Sequence, residues 1–184
     1  LQQEPEQIEV REPPRTTTVN GVTYSIRPLY RYELHGLVVS RHDSDSFIDY
    51  IHREWNDHIN VVDLCVIWGK NAASGAYRGQ SFSSGQFVCY WQAPTREAFA
   101  AFDPAAISNN HLLTDDPAIA KKLRAVRVGD QIRFRGYLAE YSHRHNGQPF
   151  HRGTSTVRTD TGNGACETVY VQDVEITRRG GGPW

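Results

Sequence analysis

The sequence predicts an α+β chain that is mainly β: a partly open barrel or strongly curled antiparallel sheet with two or three short helices. Three observations predict it. Residues 128–141 alternate polar and apolar side chains around a central glycine, Gly136, as one long half-buried strand does where it bends or meets another backbone closely. Residues 61–68 are apolar almost throughout, as in a strand covered on both faces. Helical spacing is confined to short stretches, clearest where Asp116-Pro117 supplies a cap and a first-turn proline.

The elements follow in order. After the turn pair Asn20-Gly21, residues 22–27 alternate as a strand. Residues 30–41 form another, with Tyr30, Tyr32, Leu34, Gly36 and Val38 on one face and Leu37 and Val39 on the other. Gly36 inside it implies a bulge or bend. Residues 43–58 read as a short helix capped by Ser44 or Ser46, with Phe47, Tyr50, Ile51 and Trp55 along one face. The alternative is a packed loop rich in His and Asp. The central strand 61–68 ends at Gly69, residues 71–79 are loop, and 86–91 are strand. A helix runs from Pro94 to Phe102 and a second from Pro117 to Val126, the latter with Ile119, Leu123 and Val126 as its apolar stripe. In the long strand that follows, Ile132, Phe134, Gly136 and Leu138 oppose Arg133, Arg135, Tyr137 and Ala139. A polar hairpin loop over 143–153 turns at Asn146-Gly147. A return strand over 154–158, a glycine-rich turn over 160–164 and a strand over 166–176 complete the chain. The pattern Gly-Asp-x-Ile-x-Phe-x-Gly-x-Leu at 129–138 looks like a strand of an OB-type barrel, so the closing strands are read as an OB-like meander.

Residues 1–18, rich in Pro and Glu, read as a flexible linker, 19–177 as a single β-rich domain, and 178–184 as a disordered Gly-rich tail. The net charge of −1 excludes a globally basic nucleic-acid binder and an acidic tail protein. No apolar run is long enough for a transmembrane helix. The chain begins at Leu1 and lacks methionine, so a processed product or fragment is expected, with a signal peptide or anchor upstream. Three cysteines are too few for a disulfide scaffold and none lies in a CxxC pair. Cys65 and Cys89 sit in separate strand-like runs that could face each other and bond, although spacing alone does not decide it.

Four groups of residues carry candidate chemistry. Asn110 and His111, with the adjacent amide Asn109, lie ahead of the second helix and can bind a ligand or move a proton; their bland role is a turn of Ser108, Asn109 and Asn110 with a backbone-bonded imidazole. In the segment 156–167, Arg158, Asp160, Thr161, Gly162, Gly164 and Glu167 could cradle a ligand with backbone N–H groups. However, Asp160 opposes a phosphate and no P-loop lysine is present, so a hairpin turn with Asp160 capping Gly162 and Gly164 is the bland alternative. Together the two segments could make a Cys–His site, with Cys166 as nucleophile, His111 as base, and Asn110 or Glu167 orienting the ring. His143, His145 and His151 could meet across a hairpin at a metal, but no carboxylate or cysteine accompanies them, and neither metal nor cofactor is expected. Finally, Lys121, Lys122, Arg124, Arg127, Arg133 and Arg135 form a basic set, with Arg133 and Arg135 beside Tyr137 as on a single-strand platform, or merely as a solvated face.

The segments DLCVIWG, SNNHLLTDDPAIAKKLRAVRVGDQIRFRGYLAE and TSTVRTDTGNGACETVYV resemble an uncharacterised family of bacterial proteins with an N-terminal membrane segment and a Pro-rich stretch. The resemblance covers 30–176 and includes Trp68, Gly69, Asn110, His111, Leu112, Gly129, Gly136, Arg158, Asp160, Thr161, Gly162, Gly164, Cys166 and Glu167. The chain departs from it over 143–151, where tryptophans are more usual, and over the longer stretch 43–58. The resemblance implies the bacterial cell envelope, anchored in the inner membrane by an upstream segment with the domain in the periplasm. It implies no activity. The expected function is therefore a non-enzymatic module binding a small ligand or another envelope protein near His111 and 160–167. A Cys166/His111 hydrolase or transferase and an OB-like single-stranded nucleic-acid binder are the alternatives. All three lean on one sheet bringing the His111 and 160–167 segments together.

Overall fold

The computed structural model describes residues 1, 3–160 and 165–181. Its spine is one strand where the sequence suggests two. After β1 (Glu6–Glu9) and β2 (Arg15–Val19), β3 runs unbroken over Val22–Asp43. Pro28 lacks an N–H, and β3 absorbs it at a register shift between Pro28 and Tyr30. Asn20 and Gly21 both take positive φ, the tight turn that joins β2 to β3.

Five strands close a ring of hydrogen bonds. β3 pairs with β4 (Asn60–Ile67), β4 with β7 (Ile107–Leu113), β7 with β10 (Glu167–Arg178), β10 with β8 (Gln131–His145), and β8 returns to β3. All are antiparallel except β7 with β10. The chain is thus mainly β, a large curled sheet with a few short helices. Gly136 permits the tightest crossing: a Cβ there would collide with the Tyr170 carbonyl of β10, beside the bulge at Val171/Asp173. The ring's interior holds Tyr32, Leu34, Leu64, Val66, Trp68, Leu112, Phe134, Leu138 and Val169. Helix α4 (Pro117–Arg124), capped by Asp116 as expected, sends Leu123 into this core, and Val126 just beyond its end joins it. Each such buried aliphatic contributes roughly 1.5–3 kcal/mol.

A separate hairpin, β5 (Ser81–Gly85) and β6 (Val88–Gln92), packs Phe82, Cys89 and Trp91 over Leu37, Val39, Ile67 and Phe102 outside the ring. The Cys65–Cys89 disulfide ties it to β4. Helix α1 (Tyr50–Glu54) precedes β4, and α2 (Gly69–Ala73) follows it. Helix α3 (Arg96–Ala101) follows β6 and is capped by Thr95 rather than started by Pro94. No helix among the described residues is long and apolar enough to cross a membrane.

Several segments differ from expectation. In the presumed linker, β1 and β2 add to the edges of β3, because backbone pairing with an open edge needs no apolar side chains. In the presumed tail, Arg178 ends β10, while Arg179 and the Gly180 N–H bind Asp130. The helix in 43–58 is a single turn capped by Asp49, and Phe47 is largely exposed rather than on a buried stripe. The strand returning from β8 is β9 (Gln148–Arg152), not 154–158: Asn146-Gly147 makes a two-residue turn and both strands run right up to it.

Candidate functional site

The sheet does join the two segments. Parallel pairing of β7 and β10 sets Asn110 opposite Glu167 and His111 opposite Thr168. Strand alternation then splits the candidates between two faces. Asn110 and Glu167 point into the ring, and His111 points out of it.

On the inner face Glu167 Oε1 accepts from Arg158 Nη1 at 2.8 Å, and Arg158 Nη2 donates to Gln7 at 2.8 Å. The guanidinium lies over Tyr32 and Trp68. Burial pushes the Glu167 carboxyl up to about 7, although Arg158 pulls it down. The Asn110 amide donates to Ser108 and to the Leu64 carbonyl. Asp160, whose carboxylate accepts from the Ser155 hydroxyl, lines the cleft on the outer face rather than this one. Thr161, Gly162 and Gly164 lie outside the described residues, and with them the expected caps from Asp160.

On the outer face, His111 Nδ1 stands 2.9 Å from Asp63 Oδ1. Burial raises the Asp63 pKa, but the charge and hydrogen bond of His111 outweigh it and hold the carboxyl below its usual range. Asn60 Nδ2 donates to the same oxygen and stands 2.9 Å from His52 Nε2. His52 Nδ1 and His42 Nε2 both reach Asp49 Oδ2, at 2.6 and 2.9 Å. The His- and Asp-rich stretch 43–58 thus forms a buried polar network behind His111 rather than an amphipathic helix.

Above His111 opens a cleft of about 880 Å³. Asn109, His111, Cys166 and Thr168 form its floor, β6 one wall, and Arg152 part of the other. Phe87, at the hairpin tip, sits 5.0 Å from the His52 ring and 5.6 Å from the His111 ring. Its φ is +63°, a turn position that favours glycine, at a cost of order 1–3 kcal/mol. Arg152 stacks on Phe87 at 3.7 Å. Cys166 donates to the Phe87 carbonyl and accepts from Asn109 Nδ2 at 3.5 Å. Burial pushes its thiol pKa up, against the depression that activates a nucleophilic cysteine. Arg152 Nη1 and Asn109 Oδ1 are enclosed in the cleft with no hydrogen-bond partner among the described residues.

The remaining candidates disperse. Arg133 pairs with Glu33 at 2.7 Å and Arg135 with Asp173 at 3.2 Å. Tyr137 is covered by Arg15 and donates to Glu12, so no open basic–aromatic platform forms there. Lys121 and Lys122 are exposed on α4. His143 is buried and bonds the Trp55 carbonyl. His151 pairs with Ser142, so it faces away from His143 and the two cannot share an ion. No group of three His, Cys, Asp or Glu suited to a metal is found among the described residues.

Sequence reasoning missed Asp63, Phe87 and Arg152, and it offered Asn109 only as one of the adjacent amides ahead of His111. Asp63 alone left a signal, as the one carboxylate inside the most apolar run of the chain. No protein-family model, curated protein or solved structure matches this chain.

Proposed function

We propose that the protein is a binding domain, without catalysis of its own, whose ligand occupies the cleft between the β5–β6 hairpin and the β7–β10 pair. The observation that carries this is the pair of enclosed, unpartnered groups, Arg152 Nη1 and Asn109 Oδ1. Leaving a buried donor or acceptor unmet costs about 1–3 kcal/mol, more for a charged group. A ligand presenting a carboxylate to Arg152 and an N–H to Asn109 recovers that cost on binding. The apolar wall of Trp91 and Ile107 accepts a hydrophobic substituent. The Cys65–Cys89 disulfide favours an oxidising compartment. In the bacterial envelope this would be the periplasm, with the domain tethered to the inner membrane through a preceding segment.

Titration with N-acetyl-L-valine, followed by tryptophan fluorescence, tests the reading. This probe carries the required carboxylate, N–H and apolar group. Saturable binding is expected, weakened at least tenfold in Arg152→Met and in Asn109→Leu. Absence of binding at millimolar probe, or binding by either variant as tight as that of the parent protein, refutes it.

A further inference from the structure

We infer that the occupant of this cleft is the C-terminal end of an extended polypeptide, added as a strand antiparallel to β6 with its terminal carboxylate on Arg152. The inference rests on the cleft being a ligand site and names the chemical class of the ligand.

Backbone edges carry the first part of the argument. β6 pairs only with β5, in a two-stranded sheet. Gly85 and Val88 flank the two-residue turn and form its hydrogen-bonded pair, so the next pair, Ser84 with Cys89, is not hydrogen-bonded. The same alternation makes Ser83–Tyr90 bonded and Phe82–Trp91 not. The N–H and C=O groups of Cys89 and Trp91 therefore point away from β5. Among the described residues nothing else takes them. Consecutive residues of β6, Val88 to Trp91, all line the cleft. Side chains alone would contribute every second residue, so it is the strand's edge that faces the cavity.

The start of β7 also lines the cleft. β7 is paired to β4 along its length, but its pairing with β10 begins only at Asn110. Ile107, Ser108 and Asn109 precede that pairing and also line the cleft consecutively. A cleft bounded by an open strand edge accepts an extended backbone better than a compact solute, because the edge supplies donors and acceptors at the strand repeat. Asn109 Oδ1 adds an acceptor for a peptide N–H.

Charge fixes the end and the direction. The Arg152 guanidinium has no ion-pair or hydrogen-bond partner among the described residues and stacks on Phe87, at the start of β6. A guanidinium presents a planar fork suited to a carboxylate. A peptide whose carboxylate rests there and whose chain follows β6 towards Gln92 runs antiparallel to it. Its side chains alternate between the Trp91–Ile107 wall and solvent.

The test uses the hexapeptide acetyl-Gly-Ser-Thr-Val-Thr-Val, as the free acid, as the C-terminal amide, and with single N-methyl groups walked along its amides. Binding is measured by calorimetry, together with hydrogen exchange of the protein amides. The free acid is expected to bind at least tenfold more tightly than N-acetyl-L-valine. Amidation should remove at least tenfold, and Arg152→Met should abolish the difference between acid and amide. N-methylation should weaken binding strongly at alternate positions only, and exchange at the Cys89 and Trp91 N–H groups should slow at least tenfold. If the hexapeptide binds no better than N-acetyl-L-valine, or tolerates N-methylation throughout, strand addition is overturned while the ligand site stands. Equal binding of acid and amide overturns capture of the carboxylate. If neither probe binds, the site itself falls.

Discussion

Arg152 and Arg158 leave neighbouring stretches of chain and end on opposite faces of the same strand pair. Arg158 turns into the ring, where Glu167, Gln7, Tyr32 and Trp68 take up its charge, its donors and its flat face. Arg152 turns out into the cleft, where among the described residues the Phe87 ring, and farther off the Phe150 ring, meet it. The contrast teaches how to tell a structural arginine from a functional one. A guanidinium whose bonds are all made within the chain stabilises the fold. One that is enclosed but unmatched lowers stability and stays only if something else supplies the match. Either side of the comparison can be broken by experiment.

The largest effect is expected on the cleft side, at the crosslink that holds the hairpin over His111. The Cys65–Cys89 bond closes a loop with a sequence separation of 24. Chain entropy assigns such a closure about 3 kcal/mol. The double variant Cys65→Ala/Cys89→Ala should lose roughly that in urea unfolding and should bind N-acetyl-L-valine more weakly. It should leave the titration of Glu167 where it was. A coupled change in that titration would mean that the two faces do not act separately.

The next effect belongs to the inner face and depends on pH. Folding raises Glu167 from an ordinary 4.5 to about 7, so the folded state favours its protonated form. The stability this contributes is complete below about pH 4.5 and is lost as pH rises through about 7. At about 1.4 kcal/mol per pH unit, the loss across that window is about 3–4 kcal/mol. Glu167→Gln should flatten the slope. Arg158→Met should steepen it, costing about 2 kcal/mol at pH 8, where the carboxylate is ionised and unpaired, and little at pH 5. A flat wild-type profile between pH 5 and 8 would show that Arg158 already offsets the burial of Glu167 in full.

How much of this was legible in the sequence differs between the same two regions. The ring was largely legible, because alternation at 131–138, the apolar run at 61–68 and Gly136 are local consequences of sheet geometry. The Asp116-Pro117 start of α4 was equally local. The strand β7 was harder. Its Ser-Asn-Asn-His sequence has the composition of a turn, and only partners distant in sequence explain it: Asp63 for His111, Cys166 for Asn109, Leu64 and Ser108 for Asn110. β1 and β2 were hidden for a related reason. Glutamates and threonines gain no stability from burial, but the edges of β3 offer their backbones a ladder. The convergence of His111 with Cys166 and Glu167 was foreseen as a neighbourhood. Its division into two faces was not, because a single register step between β7 and β10 decides it.

The smallest effect is the one that separates the two arginines most sharply. Arg152→Met keeps an unbranched stem over Phe87 and removes a charge that makes no direct ion pair among the described residues, although it helps to hold Asp63 ionised. The variant loses the stacking on the ring, worth about 0.5–2 kcal/mol. It also sheds the desolvation of an enclosed, unmatched Nη1, worth about 1–3 kcal/mol in the opposite sense. The two nearly cancel, so the midpoint of urea unfolding should stay within about 0.5 kcal/mol of the parent or rise slightly. Asn109→Leu should behave similarly, since it deletes an unmatched acceptor at the price of one weak bond to the Cys166 sulfur. If Arg152→Met instead destabilises the fold as much as Arg158→Met does at pH 8, the guanidinium belongs to the scaffold, and the cleft loses the group that marks it as a binding site.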